Sequence, residues 1–133
     1  MEEILEISNS VLDDVILIRR EIHTYPELGL ENPKTQKRVL ESLESLPVEI
    51  KTGRNLTSVV ADLKGTKASE GPTILLRADT DALPMDEDSG EDFCSVNPGR
   101  AHACGHDAHT AMLVGAAKVL TEMRDQFSGT VRF

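Results

Sequence analysis

Apolar residues recur every three to four positions at the start of the chain. Ile4, Ile7, Val11, Val15, Ile18 and Ile22 fall on one stripe of a 3.6-residue period. That spacing predicts a long amphipathic helix over 3–24, which Pro26 cannot continue. "TYPELGLE" reads as a turn region. Asn32-Pro33 has the form of an N-cap followed by proline at the first helical position, so a second helix is expected to carry Val39, Leu40, Leu43 and Leu46 and to stop at Pro47. From Val48 the period changes to two. "VEIKT" alternates Val48 and Ile50 with polar partners, as a half-buried strand does. "TSVVADL" is expected to be a second strand and "TILLRAD" a third. The run Ile74, Leu75, Leu76 is that of a strand covered on both faces. "KGTKASEGP", between these two strands, reads as a polar hairpin-type loop. Residues 85–101 are irregular, acidic and rich in turn formers. A third helix is predicted over 108–124, with Ala108, Met112, Ala116, Val119, Leu120 and Met123 along one side. "GTVRF" opens a further strand, so the chain is expected to be the front part of a longer protein. The order ααβββαβ argues for α/β layers.

Composition sharpens this picture at a few points. The 133 residues suit one domain, and with 3% aromatics and no Trp its core must be aliphatic. A net charge of −9 makes the chain a poor polyanion binder, so nucleic acid is not an expected partner. No apolar run is long enough to span a membrane. "MEEILEISNS" lacks the basic and apolar regions of a secretory signal, so a cytoplasmic setting is expected. In such a setting Cys94 and Cys104 suit a thiol or metal role better than a disulfide.

The candidate chemistry is concentrated in "HACGHDAHTA", residues 102–111, which holds His102, Cys104, His106, Asp107 and His109. Cys104 and His106 present a thiolate and an imidazole two residues apart, which in a looped backbone point the same way. Both suit zinc, manganese or cobalt, and the thiolate favours zinc. The same pattern also fits a small buried cysteine beside a surface histidine. In "RADTDALP", Asp79 and Asp81 leave the end of a hydrophobic strand and share a face. There a carboxylate can orient a metal-bound histidine or a water, or simply cap the turn before Pro84. Asp107 reads as the N-cap of the third helix, and His109 as a helix-surface residue. His23, close in sequence to Arg19, Arg20 and Glu27, reads as a cap or ion-pair member. "DEDSGED", residues 86–92, reads as a solvated acidic loop. No Ser–His–Asp arrangement, Walker loop or dinucleotide fingerprint is present.

Taken in order, "RREIHTYPELG", "SVVADLKG", "LLRADTDALPM", "HACGHDAHTAMLVGAAKVL" and "GTVRF" resemble the N-terminal part of the metal-dependent amidohydrolases. That group includes auxin-conjugate hydrolases, hippurate hydrolases, aminoacylases and N-acetyl-diaminopimelate deacetylases. The resemblance implies an incomplete three-layer α/β catalytic domain of metallopeptidase type over 1–133, with the lid domain absent. It implies a site for two divalent ions (Zn, Mn or Co), with metal ligands at Cys104 and His106 and the catalytic-site aspartate at Asp81. Asp79 stands where sister families carry a ligand histidine, and Cys94 matches no ligand position. The expected activity is hydrolysis of the amide bond of N-acyl amino acids, with a small-molecule partner and room for homo-oligomers of the complete enzyme. The general-base glutamate and the remaining ligands fall downstream in the family, so the 133 residues are expected to be inactive alone. Two other readings compete: a small α/β module with a structural metal, and a thiol redox protein using Cys104. The first has no use for the Asp79–Asp81 pair, and the second lacks a Cys-x-x-Cys resolving partner.

Overall fold

The structure is a computed structural model and describes residues 2–133. The elements are α1 (Glu2–Thr24), α2 (Pro33–Leu43), β1 (Val48–Thr52), β2 (Val59–Lys64), β3 (Thr73–Leu75), α3 (His106–Glu122), a 3-10 turn (Arg124–Gln126) and β4 (Thr130–Arg132). This is the expected order with one short turn added. The strands form one sheet in the order β1-β2-β4-β3, with β3 parallel to β4 and the other pairs antiparallel.

Strand register sorts the side chains. Val48, Ala61, Leu63 and Val131 alternate onto one face, and Glu49, Asp62 and Arg132 onto the other. The apolar face meets the helices. Ile18 and Ile22 of α1, Val39 and Leu43 of α2, and Ala111, Val114 and Ala117 of α3 close the core over Ala61. On the opposite face Arg132 forks onto Asp62 with two bonds of 2.7 Å, which holds the Asp62 carboxyl below its usual range. The α/β class therefore holds, and the described residues build two layers: a sheet and the helices over one of its faces.

Four local expectations change. The loop between β2 and β3 is not a hairpin, because β4 inserts between them. β3 is not covered on both faces: it is an edge strand, with Ile74 55% and Leu75 66% exposed. An apolar run records composition, and the core centre lies under β2, away from this edge. The third helix buries Val119 as expected, with Met123 just beyond its end, but it also buries Thr110, Ala111, Val114 and Ala117 and leaves Met112 57% exposed. This helix is apolar nearly all round, so its period does not choose a face. Close approach to α1 chooses it, since a Cβ on Gly115 would stand 2.7 Å from Val15 Cγ2. Finally, Asn32 occupies the N-cap position of α2 but its side chain does not cap. Glu27 does so instead, accepting from the N–H groups of Lys34 (3.1 Å) and Thr35 (2.9 Å).

Candidate metal and active site

Three extended pieces converge at the start of α3. Leu28 bridges to Ala82 in parallel, and Leu83 bridges to Ala101 antiparallel. The chain then turns through Cys104 and Gly105 into His106, the first residue of the helix. Gly105 has φ +84°, a left-handed conformation that a side chain would strain, so this turn depends on glycine.

The strand-end motif crosses above. Thr110 Oγ1 donates to the Asp79 carbonyl at 2.8 Å. His106 Nδ1 lies 2.9 Å from the Asp81 carbonyl oxygen and 3.0 Å from Asp81 Oδ1. A carbonyl can only accept, so Nδ1 carries the proton, and in the neutral ring Nε2 is then left with its lone pair. Asp79 Oδ2 is 3.9 Å from that Nε2, and Asp79 is itself paired with Arg77. The structure thus brings Asp79 and Asp81 to His106, though from beyond an edge strand and not from a central one. Cys104 stands exposed as a free thiol in the adjoining turn, and Cys94 is a second exposed free thiol. His109 is exposed, with its ring 5.8 Å from that of His106. Among the described residues no three His, Cys, Asp or Glu side chains gather into a metal-holding cluster. A cleft next to Asp79 and Asp81 is floored by Val39, Leu43, Val114 and Ala117.

Behind the turn lies a buried polar network that the sequence did not reveal. Asp107 is not the N-cap, a position Gly105 takes; it is fully buried one residue into the helix. Its Oδ2 accepts from Arg19 Nε at 2.8 Å and contacts His23 Nδ1 at 2.7 Å. Burial pushes the Asp107 carboxyl up, but the bond from His23, the nearby Ala108 N–H dipole and the Arg19 charge hold it below its usual range. The other nitrogen of His23 meets Glu87 Oε1 at 2.9 Å, while Glu87 Oε2 accepts the Ser95 N–H at 2.6 Å. Burial raises Glu87, and the bonds from Ser89, His23 and Ser95 outweigh it and bring its pKa to about 2. The acidic loop is therefore not simply solvated: Glu87 is its anchor. His23 is an ion-pair member, as expected. Phe93 lies edge-on to His23 with ring centres 5.4 Å apart, and Arg19 and Arg20 cover Phe93. His23 and Asp107 are 84 positions apart, and no local pattern links such a pair. His102 is also buried, and burial pushes its imidazole down.

The model of peptidase family M20/M25/M40 matches residues 75–133, the stretch that contains both motifs. Over that stretch the chain resembles the M20 family. It is 44% identical over 132 residues to an N-acyl-L-amino acid amidohydrolase of Geobacillus stearothermophilus, covering 99% of this chain and 35% of that protein. It is 47% identical over 121 residues to thermostable carboxypeptidase 1 of Saccharolobus solfataricus, covering 90% of this chain and 30% of the relative. Among solved structures, a dinuclear metal-binding M20 peptidase of Bacillus subtilis superposes with a TM-score of 0.86 at 40% identity, over 94% of this chain and 34% of that one. The chain thus spans about a third of the length of these relatives. No helix among the described residues is long and apolar enough to cross a membrane.

Proposed function

We propose that this chain carries the Cys104–His106 part of a divalent-metal site, together with the carboxylate of Asp81 that orients it, in a hydrolase of N-acyl amino acids. The observation that carries this reading is the locked His106 ring. Asp81 accepts twice from Nδ1 and leaves Nε2 as a free lone pair, the arrangement in which a ligand histidine is held by an outer carboxylate and carbonyl. Cys104 adds a soft thiol donor on the same glycine turn, and Asp79 adds negative charge beside Nε2. This donor set fits zinc, manganese or cobalt, with the thiolate favouring zinc. When bound, such an ion makes a nucleophile from water near neutral pH and polarises the amide carbonyl.

Asp81 acts through His106: it keeps the ring in one tautomer and strengthens it as a donor. The dinuclear description of the Bacillus subtilis relative supports a site for two ions. The N-acyl-L-amino acid amidohydrolase and the carboxypeptidase share one substrate chemistry, because the last residue of a peptide is itself an N-acylated amino acid. A linear amide whose released amine is an α-amino acid is therefore the proposed substrate class.

The test is a chimera in which residues 1–133 replace the matching third of the Geobacillus stearothermophilus amidohydrolase. Chelator-sensitive release of amino acid from an N-acyl amino acid is expected, with loss of turnover and of bound metal in Cys104→Ser and His106→Ala. A chimera that keeps full turnover with both substitutions would overturn the assignment.

A further inference from the structure

Four buried side-chain polar atoms have no hydrogen-bond partner among the described residues, and three of them belong to the two residues that flank His23: both ring nitrogens of His102 and Oδ1 of Asp107. Native interiors leave few such atoms, and a polar pair of this kind signals a bound water. His102 is 5% exposed and Asp107 fully buried. Both flank His23, whose ring centre is 6.2 Å from that of His102 and whose Nδ1 is 2.7 Å from Asp107 Oδ2. After burial itself, the Asp107 charge is the strongest influence on His102. Asp107 spends Oδ2 on Arg19 and His23 and keeps Oδ1 free. A neutral His102 has one N–H and one lone pair unspent.

We propose that a buried water joins His102 to Asp107 Oδ1, and that this bridge makes His102 a positioning residue for the turn that presents Cys104 and His106. The His102 N–H donates to the water, and the water donates to Asp107 Oδ1. Two of the three orphaned atoms are then satisfied, and the second ring nitrogen remains an acceptor.

The placement gives the bridge its purpose. His102 precedes Cys104-Gly105-His106 and Asp107 follows it, so the water closes the turn across its two ends. Asp107 is tied to α1 through Arg19 and His23, and Ala101, next to His102, is tied to Leu83 by bonds of 2.9 and 3.0 Å. A glycine turn with a left-handed residue at its centre is otherwise free to open. Where the inference concerns metal it rests on the proposed ligand roles; the bridge itself does not.

Two measurements separate these parts, one on the 133-residue chain and one on the chimera. Nitrogen-15 NMR of the metal-free chain is expected to show His102 in a single neutral tautomer, with a slowly exchanging ring N–H in contact with a long-lived water. Tautomer averaging with no water contact overturns the bridge. Titration of the chimera with cobalt(II), read by the thiolate-to-cobalt absorption band, is expected to show binding that weakens about tenfold or more in His102→Phe. His102→Gln, which restores a donor, is expected to keep most of the affinity, and it replaces the Phe variant if that fails to fold. Unchanged affinity in both variants overturns the positioning role. Absence of the band in the unsubstituted chimera overturns the ligand assignment of Cys104, and with it the positioning role, while the NMR result still decides the bridge.

Discussion

His106 Nδ1 is held by Asp81 twice, at 2.9 Å by the backbone carbonyl and at 3.0 Å by the carboxylate. The backbone contact survives any change of the side chain, so Asp81→Asn isolates the carboxylate. In the chimera, this variant is expected to keep its metal and to lose turnover about 10- to 100-fold, the usual cost of altering a ligand's outer partner. Metal content by atomic emission and initial rates of amino-acid release check it together. Unchanged turnover would leave the carboxylate without a role.

Asp107 and His23 are the buried centre of the Arg19–Asp107–His23–Glu87 network, whereas the Arg19 side chain is 38% exposed, so removing Asp107 strands chiefly His23. Asp107→Ala leaves His23 and Arg19 without their shared acceptor and is expected to cost about 3–5 kcal/mol, the range for breaking a buried ion pair on one side. Urea unfolding followed by circular dichroism measures this. A loss below about 1 kcal/mol, the ceiling typical of exposed pairs, would show that the network is solvated.

Glu87 makes stability depend on pH in a defined direction. Its folded-state pKa lies at about 2, below the ordinary 4.5 it regains on unfolding. The unfolded chain therefore binds the proton first as pH falls. The contribution of Glu87 is fully present above about 4.5 and fades as pH drops toward 2. Between these limits the unfolding midpoint of Glu87→Gln is expected to fall less steeply with acid than that of the unsubstituted chain. Parallel curves would remove Glu87 from the account.

α1 and α3 approach each other closely at Gly115, where an added Cβ meets Val15 Cγ2 at 2.7 Å. Alanine gains helix propensity of about 1 kcal/mol over glycine but overpacks a β-branched neighbour, at about 1–3 kcal/mol. Gly115→Ala is therefore expected to be neutral to destabilising. The double variant Val15→Ala/Gly115→Ala is expected to recover part of the loss, and a double-variant cycle in urea reads the coupling.

β3 presents Ile74 and Leu75 to solvent along an edge paired only to β4 among the described residues. Exposed apolar edges self-associate, and a lysine there opposes it. Leu75→Lys is expected to lower the weight-average mass seen by light scattering at high protein concentration. The same mass for both proteins would show that this edge does not mediate association.

The helices and strands were legible because their patterns are local. The three-to-four spacing from Ile4 to Ile22 specifies α1, and the change to a period of two at Val48 marks the sheet. The motifs around Asp79–Asp81 and Cys104–His106 were likewise legible as residue types at fixed spacing. What the spacing could not contain is any relation between distant segments. It gave no sign that β4 would enter between β2 and β3, or that α3, apolar on most sides, would bury Ala111 and Val114 in place of Met112.

The same division runs through the site. Residue order alone established that a thiol, an imidazole and two carboxylates flank a glycine turn and a strand end. Only the tertiary structure decided that Asp81 would lock the His106 tautomer across 25 positions, and that Asp107 would leave the helix cap to serve His23 across 84. The reason is physical. Period and spacing report which face a residue takes on its own element, whereas burial and hydrogen-bond partners depend on which other element packs against that face. A carboxylate such as Asp107 is drawn inside only where folding has already set a cation and an imidazole there to receive it.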